Sequence, residues 1–174
     1  MNSMTSFVQK FGSAAIAAAA GSTIFPETIL TAAALESGYG KSKLSSQYNN
    51  FFGIKADSSW KGKSVVFATK EQDKNGKVFT VNAKFRHYDT VEESFRNYVK
   101  FISGPRYVKA GVTTAATVEK QFMAIKAGGY ATDVSYVNKL KSIFNSVQDW
   151  ASKNPGDAGA GVATILFIFA GFFF

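Results

Sequence analysis

Hydrophobic positions along this chain follow three patterns, and each predicts a different element. Residues 4–24 (MTSFVQKFGSAAIAAAAGSTI) are Ala-rich with one charge, Lys10, and predict a first helix. A cleaved leader is the alternative, but its basic start is poor and its apolar stretch weak. The run leads straight into Pro26, which fits the first turn of a second helix because its missing N–H costs nothing there. Ile29, Leu30, Ala32, Ala33, Ala34 and Leu35 then leave no polar stripe. A helix apolar all round is a buried one. It closes on a single carboxylate, Glu36, and Gly38 and Gly40 supply the stop. Residues 41–47 are polar and read as exposed, and residues 49–55 (NNFFGIK) read as a compact, partly apolar loop.

The pattern changes at residue 63. Residues 64–69 predict a strand, and Asn75-Gly76 is a hairpin turn signal. From 78 to 85 the chain alternates, with Phe79, Val81, Ala83 and Phe85 on one face and Val78, Thr80, Asn82 and Lys84 on the other. A lone hairpin makes a small lobe rather than a sheet protein. Helical spacing returns behind Thr90, which with Glu93 forms a capping box. That helix turns Phe95, Tyr98, Val99 and Ile102 inward and stops at Gly104-Pro105. Another helix is expected over about 115–127, closed by Gly128-Gly129. The clearest amphipathic stripe follows, through Tyr136, Val137, Leu140, Ile143, Phe144, Val147 and Trp150. The predicted class is α+β, mainly helical with a β-hairpin lobe. Residues 1–152 form the domain, 153–157 a linker, and 158–174 (AGAGVATILFIFAGFFF) a third pattern, continuous and uncharged. Seventeen such residues sit at the short end of the 17–25 that span a bilayer, so a transmembrane helix is expected there.

Composition narrows the chemistry. The chain has 174 residues, no cysteine and one histidine, His87. Thiol nucleophiles and thiolate metal sites are absent, and one histidine is too few for the usual zinc hydrolase. A Ser-His-Asp triad would need His87 and finds no GxSxG elbow. No cofactor is implied, and carboxylates are left to carry any catalysis. The net charge of +8 favours an anionic partner, and the lysines are too scattered for a nucleic-acid arm.

Glu36 is the carboxylate the pattern singles out. Burial disfavours its ionised form, and the negative end of the helix dipole acts the same way. A carboxylic acid that keeps its proton near neutral pH suits a glycosidase, which must protonate a leaving oxygen. Spacing alone also allows a glutamate merely exposed at a helix end.

Four segments in order carry a resemblance: ALESGYGKS (34–42), NNFFGIKA (49–56) with Trp60 and Gly62 behind it, KFRHYDT (84–90) and GGYATDVSY (128–136). Together they resemble the glucosaminidase domain of glycoside hydrolase family 73 over residues 7–150. The resemblance implies a lysozyme-like fold, and cleavage of the β-1,4 bond after N-acetylglucosamine in peptidoglycan. It implies Glu36 as general acid and Glu71, in the TKE…NGK hairpin, as the residue that activates water or stabilises positive charge. It implies Tyr130 as a cleft tyrosine supporting the reacting sugar, and Asn50 and Phe52 as cleft-lining positions. Trp60 and Tyr39 complete the expected substrate-binding set. The family commonly has proline where this chain has Val134.

Other functions remain open on the sequence. A muramidase or a lytic transglycosylase would place a glutamate similarly on the same fold. A non-catalytic wall-binding protein and a membrane-active protein are the non-enzymatic alternatives. The apolar tail leads to the expectation of a membrane-anchored enzyme of a membrane-containing phage. It would reside in the virion's internal membrane, contact virion proteins there, and act on the bacterial wall during entry.

Overall fold

The Ala-rich opening segment forms α1 (Ser3–Ala19) in a computed structural model that describes residues 3–72 and 78–154. Phe7, Val8, Phe11, Ala14, Ala15 and Ala18 make its buried stripe. The helix is shorter than expected because the chain turns at Gly21, which adopts φ +73°. Beyond it, Ser22 folds back, its backbone N–H and its hydroxyl both donating to the Ala19 carbonyl.

The second helix, α2 (Pro26–Ser37), behaves as its pattern predicts. Pro26 opens it, and Gly38 ends it in the left-handed region at φ 56° and ψ 50°. Ile29 and Ala33 are fully buried. It packs against α1 and against three later helices, so it is the helix around which the others gather. The 41–47 stretch is not simply an exposed loop: Ser42 caps a short helix, α3 (Lys43–Tyr48), by accepting from the Ser45 N–H.

One antiparallel hairpin follows, β1 (Ser64–Gln72) and β2 (Val78–Arg86), in register from Ser64↔Arg86 to Gln72↔Val78. The predicted Asn75-Gly76 turn lies outside the described residues. Val65, Phe67 and Thr69 share the inner face with Phe85, Ala83 and Val81, and Phe67 meets the ring of Tyr48 edge-on. Phe79 shares that parity yet is 42% exposed.

Arg86 fixes the base of this lobe. Its guanidinium donates to Asn97 Oδ1 at 2.8 Å and to the Lys55 carbonyl at 3.3 Å. It pairs with Asp57 at 3.7 Å and lies 4.5 Å from the centre of the Trp60 ring. The Asn50 side chain does parallel work from below. It donates to the Ile54 and Arg86 carbonyls and accepts from the Ile54 N–H, tying the 49–55 loop to β2.

Thr90 caps α4 (Val91–Ile102) as the capping box predicts, accepting from the Glu93 N–H at 3.1 Å. Glu93 reaches back one residue further than expected, to the Asp89 N–H. Gly104-Pro105 ends α4 and at once starts a five-residue helix, α5 (Pro105–Lys109), followed by a 3₁₀ turn at Val112–Thr114. Then come α6 (Val118–Ala127), capped by Thr117, and α7 (Tyr136–Lys153). Val134, in place of proline, is 88% exposed, and Asp133 organises the start of α7 by accepting from the Ser135 and Tyr136 N–H groups. Among the described residues no helix is long and apolar enough to cross a membrane. The expected span at 158–174 lies outside them.

The core is aromatic where α1, the 49–55 loop and α4 meet. Phe11 and Phe51 rings lie 4.8 Å apart, and Phe52 stacks on Tyr98 at 4.0 Å with an interplanar angle of 4°. Gly128 is required by a second close approach, since a Cβ there would run into the Tyr107 ring. Gly128→Ala is expected to cost about 1–3 kcal/mol, the range for overpacking a filled site. Chemical denaturation checks it, with a midpoint lowered at unchanged slope as the expected result.

Candidate active site

The C-terminal turn of α2 delivers Glu36 into a cleft of about 350 Å³ between the helical body and the base of the hairpin. Phe52, Gly53, Ile54, Lys55 and Asp57 line it from the loop side. Phe101, Arg106, Tyr107 and Tyr130 line it from α4, α5 and the segment before α7. The surroundings of Glu36 are apolar enough that burial raises its pKa from the usual carboxylate value to about 6. The acid therefore holds its proton in mildly acidic solution and releases it near neutrality.

Three tyrosines surround Glu36. Tyr130 donates from its hydroxyl to the Phe52 carbonyl at 2.8 Å, which fixes one ring in the cleft wall. The hydroxyls of Tyr98 and Tyr136 are buried and have no partner within hydrogen-bonding geometry. Tyr136 nevertheless faces Glu36 closely enough to favour its ionised form, partly offsetting the effect of burial. Burial first, and the neighbouring titratable groups second, push all three phenols well above their ordinary range, so they remain protonated. Tyr136→Phe removes the interaction that lowers the Glu36 pKa. The alkaline limb of the kcat/KM profile is therefore expected to move to higher pH, and a pH series on the variant measures it.

The second acid of the cleft is Asp57. Hydrogen bonds from the Ser59 side chain and backbone hold its carboxyl below the usual range, and Arg86 adds to this. One cleft thus holds a carboxyl pushed up and a carboxylate pushed down.

The expected residues divide into three groups. Glu36, Phe52 and Tyr130 come together in the cleft. Asn50 does not line it: it is 1% exposed and its side-chain bonds go to the backbone, so it positions the loop rather than facing a ligand. Trp60 is half-buried, donates to the Lys63 carbonyl and carries Arg86 on its face, outside the lining. Tyr39 adopts φ +58° beyond Gly38 and packs edge-on against Phe7, also outside the lining. Glu71 stands on β1 opposite Phe79, seven residues beyond Ser64 at the lobe's base. Its side chain is outside the described set. Sequence reasoning missed Tyr98, Tyr136, Asp57, Arg106 and Tyr107. A signal was available for two of them, because a tyrosine in place of phenylalanine on a buried helical face brings a hydroxyl that needs a partner.

Residues 12–149 match the Glucosaminidase family model, described as mannosyl-glycoprotein endo-beta-N-acetylglucosaminidase. Over 130 residues the chain is 41% identical to the peptidoglycan hydrolase FlgJ of Salmonella typhimurium, an alignment covering 72% of this chain and 40% of that protein. It is 35% identical over 173 residues to a Lactococcus lactis protein named "Probable N-acetylmuramidase", covering 94% of this chain and 38% of the relative. The chain thus spans about two-fifths of the length of these relatives. Among solved structures, the catalytic domain of the autolysin Auto from Listeria monocytogenes superposes with a TM-score of 0.73 at 28% identity, over 84% of this chain and 85% of that one. A lysozyme-like helical body with a hairpin lobe and a family match over most of its length place this chain in the glucosaminidase family, glycoside hydrolase family 73.

Proposed function

We propose that this chain hydrolyses peptidoglycan at the β-1,4 bond between N-acetylglucosamine and N-acetylmuramic acid, with Glu36 as the general acid. The observation that carries the reading is Glu36 itself, a carboxyl desolvated in a sugar-sized cleft with a pKa of about 6. In its protonated form it donates to the oxygen of the leaving sugar as the glycosidic bond breaks. Tyr130, fixed through the Phe52 carbonyl, offers its ring to the sugar in the cleft. We assign water activation to Glu71 on the strength of its hairpin context. Asp57 stays ionised at the cleft wall and stabilises positive charge developing on the sugar.

A second reading, muramidase action at the alternate β-1,4 bond of the glycan, draws on the N-acetylmuramidase name of one relative. Mass spectrometry of digested peptidoglycan separates the two. A reducing N-acetylglucosamine end is expected. A reducing muramic acid end would assign muramidase action, and an anhydro end would assign transglycosylase action.

Residues 158–174 are proposed as a lipid anchor, supported by 17 uncharged residues in the sequence. An enzyme so anchored in the internal membrane of a phage, among virion proteins, would meet the wall during entry. Flotation with vesicles of the full chain and of a chain lacking residues 155–174 tests the anchor. Retention of both in the aqueous fraction removes it, and absence of the protein from the lipid fraction of purified particles removes the virion setting.

A further inference from the structure

We propose that Arg106 forms a carboxylate-binding subsite beside Glu36, so that the preferred glycan carries a free carboxylate on or next to the sugar at the cleaved bond. The inference rests on the peptidoglycan reading and narrows it to the anionic part of that polymer.

Arg106 lines the same cleft as Glu36. Its backbone is set by Pro105 on one side and by Tyr107, 1% exposed, on the other. Its guanidinium lies 4.5 Å from the centre of the Tyr107 ring and 5.6 Å from that of Phe101, and it donates to the Tyr107 hydroxyl. The two rings and that bond orient the head before any ligand arrives. A guanidinium has five N–H donors in a planar fork. Among the described residues they meet no protein acceptor other than the Tyr107 hydroxyl, and no Asp or Glu oxygen comes within 4 Å of them.

The other arginine of the region shows the contrast. Arg86 is 8% exposed and spends its donors on Asn97, the Lys55 carbonyl and Asp57, which is structural work. Arg106 is exposed and faces the cleft instead. Neither acid of the cleft is paired with it: no Glu36 oxygen comes within 4 Å of its guanidinium, and Asp57 is committed to Ser59 and Arg86. An oriented, uncommitted guanidinium on the cleft wall matches a carboxylate, which it grips with two parallel bonds. Peptidoglycan offers that group from two sources: the lactyl carboxylate of muramic acid where the stem peptide is missing, and a free carboxylate of the stem peptide where it is present.

Four soluble glycan preparations test the subsite: strands with stem peptides and strands stripped of them, each with carboxylates free or converted to neutral methylamides. Binding is measured on the Glu36→Gln protein, so affinity is read without turnover. Amidation is expected to weaken binding about tenfold or more, the scale of a charge-assisted contact. Adding Arg106→Gln is expected to bring that ratio near one, and adding Arg106→Lys, which keeps the charge and loses the fork, to leave an intermediate ratio. A loss on amidating stripped strands assigns the lactyl group, and a loss confined to peptide-bearing strands assigns the stem peptide. Equal affinity for free and amidated strands, a ratio that survives Arg106→Gln, or binding to none of the four overturns the subsite. The peptidoglycan reading fails separately, if the unaltered protein releases no reducing ends from any of them.

Discussion

Glu36→Gln is expected to lower kcat on purified peptidoglycan by about 10²–10⁴-fold, the usual contribution of a positioned general acid. Glutamine keeps the size and neutral charge of the protonated acid, so the cleft is preserved while the proton to be donated is gone. The substitution should leave the folded protein intact at pH 7, as checked by circular dichroism and a melting curve. Turbidity clearance of walls and reducing-end release provide the activity. A variant that retains a tenth of the native rate would remove Glu36 from the mechanism. In the native protein the same group should impose an alkaline limb near pH 6 on kcat/KM, because the acid must be protonated to act.

The largest stability effect is expected at a different carboxyl. Glu27, in the first turn of α2, is 6% exposed, and its Oε2 is buried without a partner. Burial raises its pKa to about 7. In the unfolded chain it titrates near 4.5. Below pH 4.5 both states hold the proton and pH has no effect through this group. Between 4.5 and 7 the folded state binds more protons than the unfolded, so stability falls as pH rises. Above 7 both states are ionised and the full cost persists. From pH 5 to pH 8 the loss through Glu27 is about 2–3 kcal/mol. Glu27→Gln should remove that part of the slope, whatever it does to stability at either single pH. Urea unfolding of both proteins at pH 5 and pH 8 gives the four numbers required. An unchanged difference between the two pH values would mean that Glu27 is hydrated in the folded state.

Much of the helical body is legible from local chemistry. Pro26 and Gly38 bracket α2, Thr90 and Glu93 mark the start of α4, and a full amphipathic stripe marks α7. Elements shorter than two turns are not legible, because α3 and α5 are too brief to show a period, and α5 hides behind the proline that ends its predecessor. The site follows the same division. Glu36 is visible because a lone acid closes an apolar helix. Its companions are legible only as core tyrosines, Tyr98 and Tyr136, or not at all, as with Arg106, because they reach one cleft only when the helices pack. Asn50 shows the converse limit. A polar residue in a loop beside a cleft reads as a ligand contact, and only the packed structure shows its amide spent on the backbone.

The anchorage of the hairpin at Arg86 makes its two strands a lever arm. Glu71 stands seven residues up β1 from that pin, roughly 23 Å of extended chain. A tilt of about 10° about the pin would carry its Cα by roughly 4 Å. Retaining and inverting glycosidases differ by about that much, with carboxyl groups about 5–5.5 Å apart in the first and about 6.5–9.5 Å in the second. If Glu71 is the water-activating residue proposed above, its separation from Glu36, and with it the stereochemical outcome, would depend on the angle at which the ribbon meets a bound strand. Substitutions at Arg86 or Asn97, which hold the base of the ribbon, are then expected to change which anomer is released.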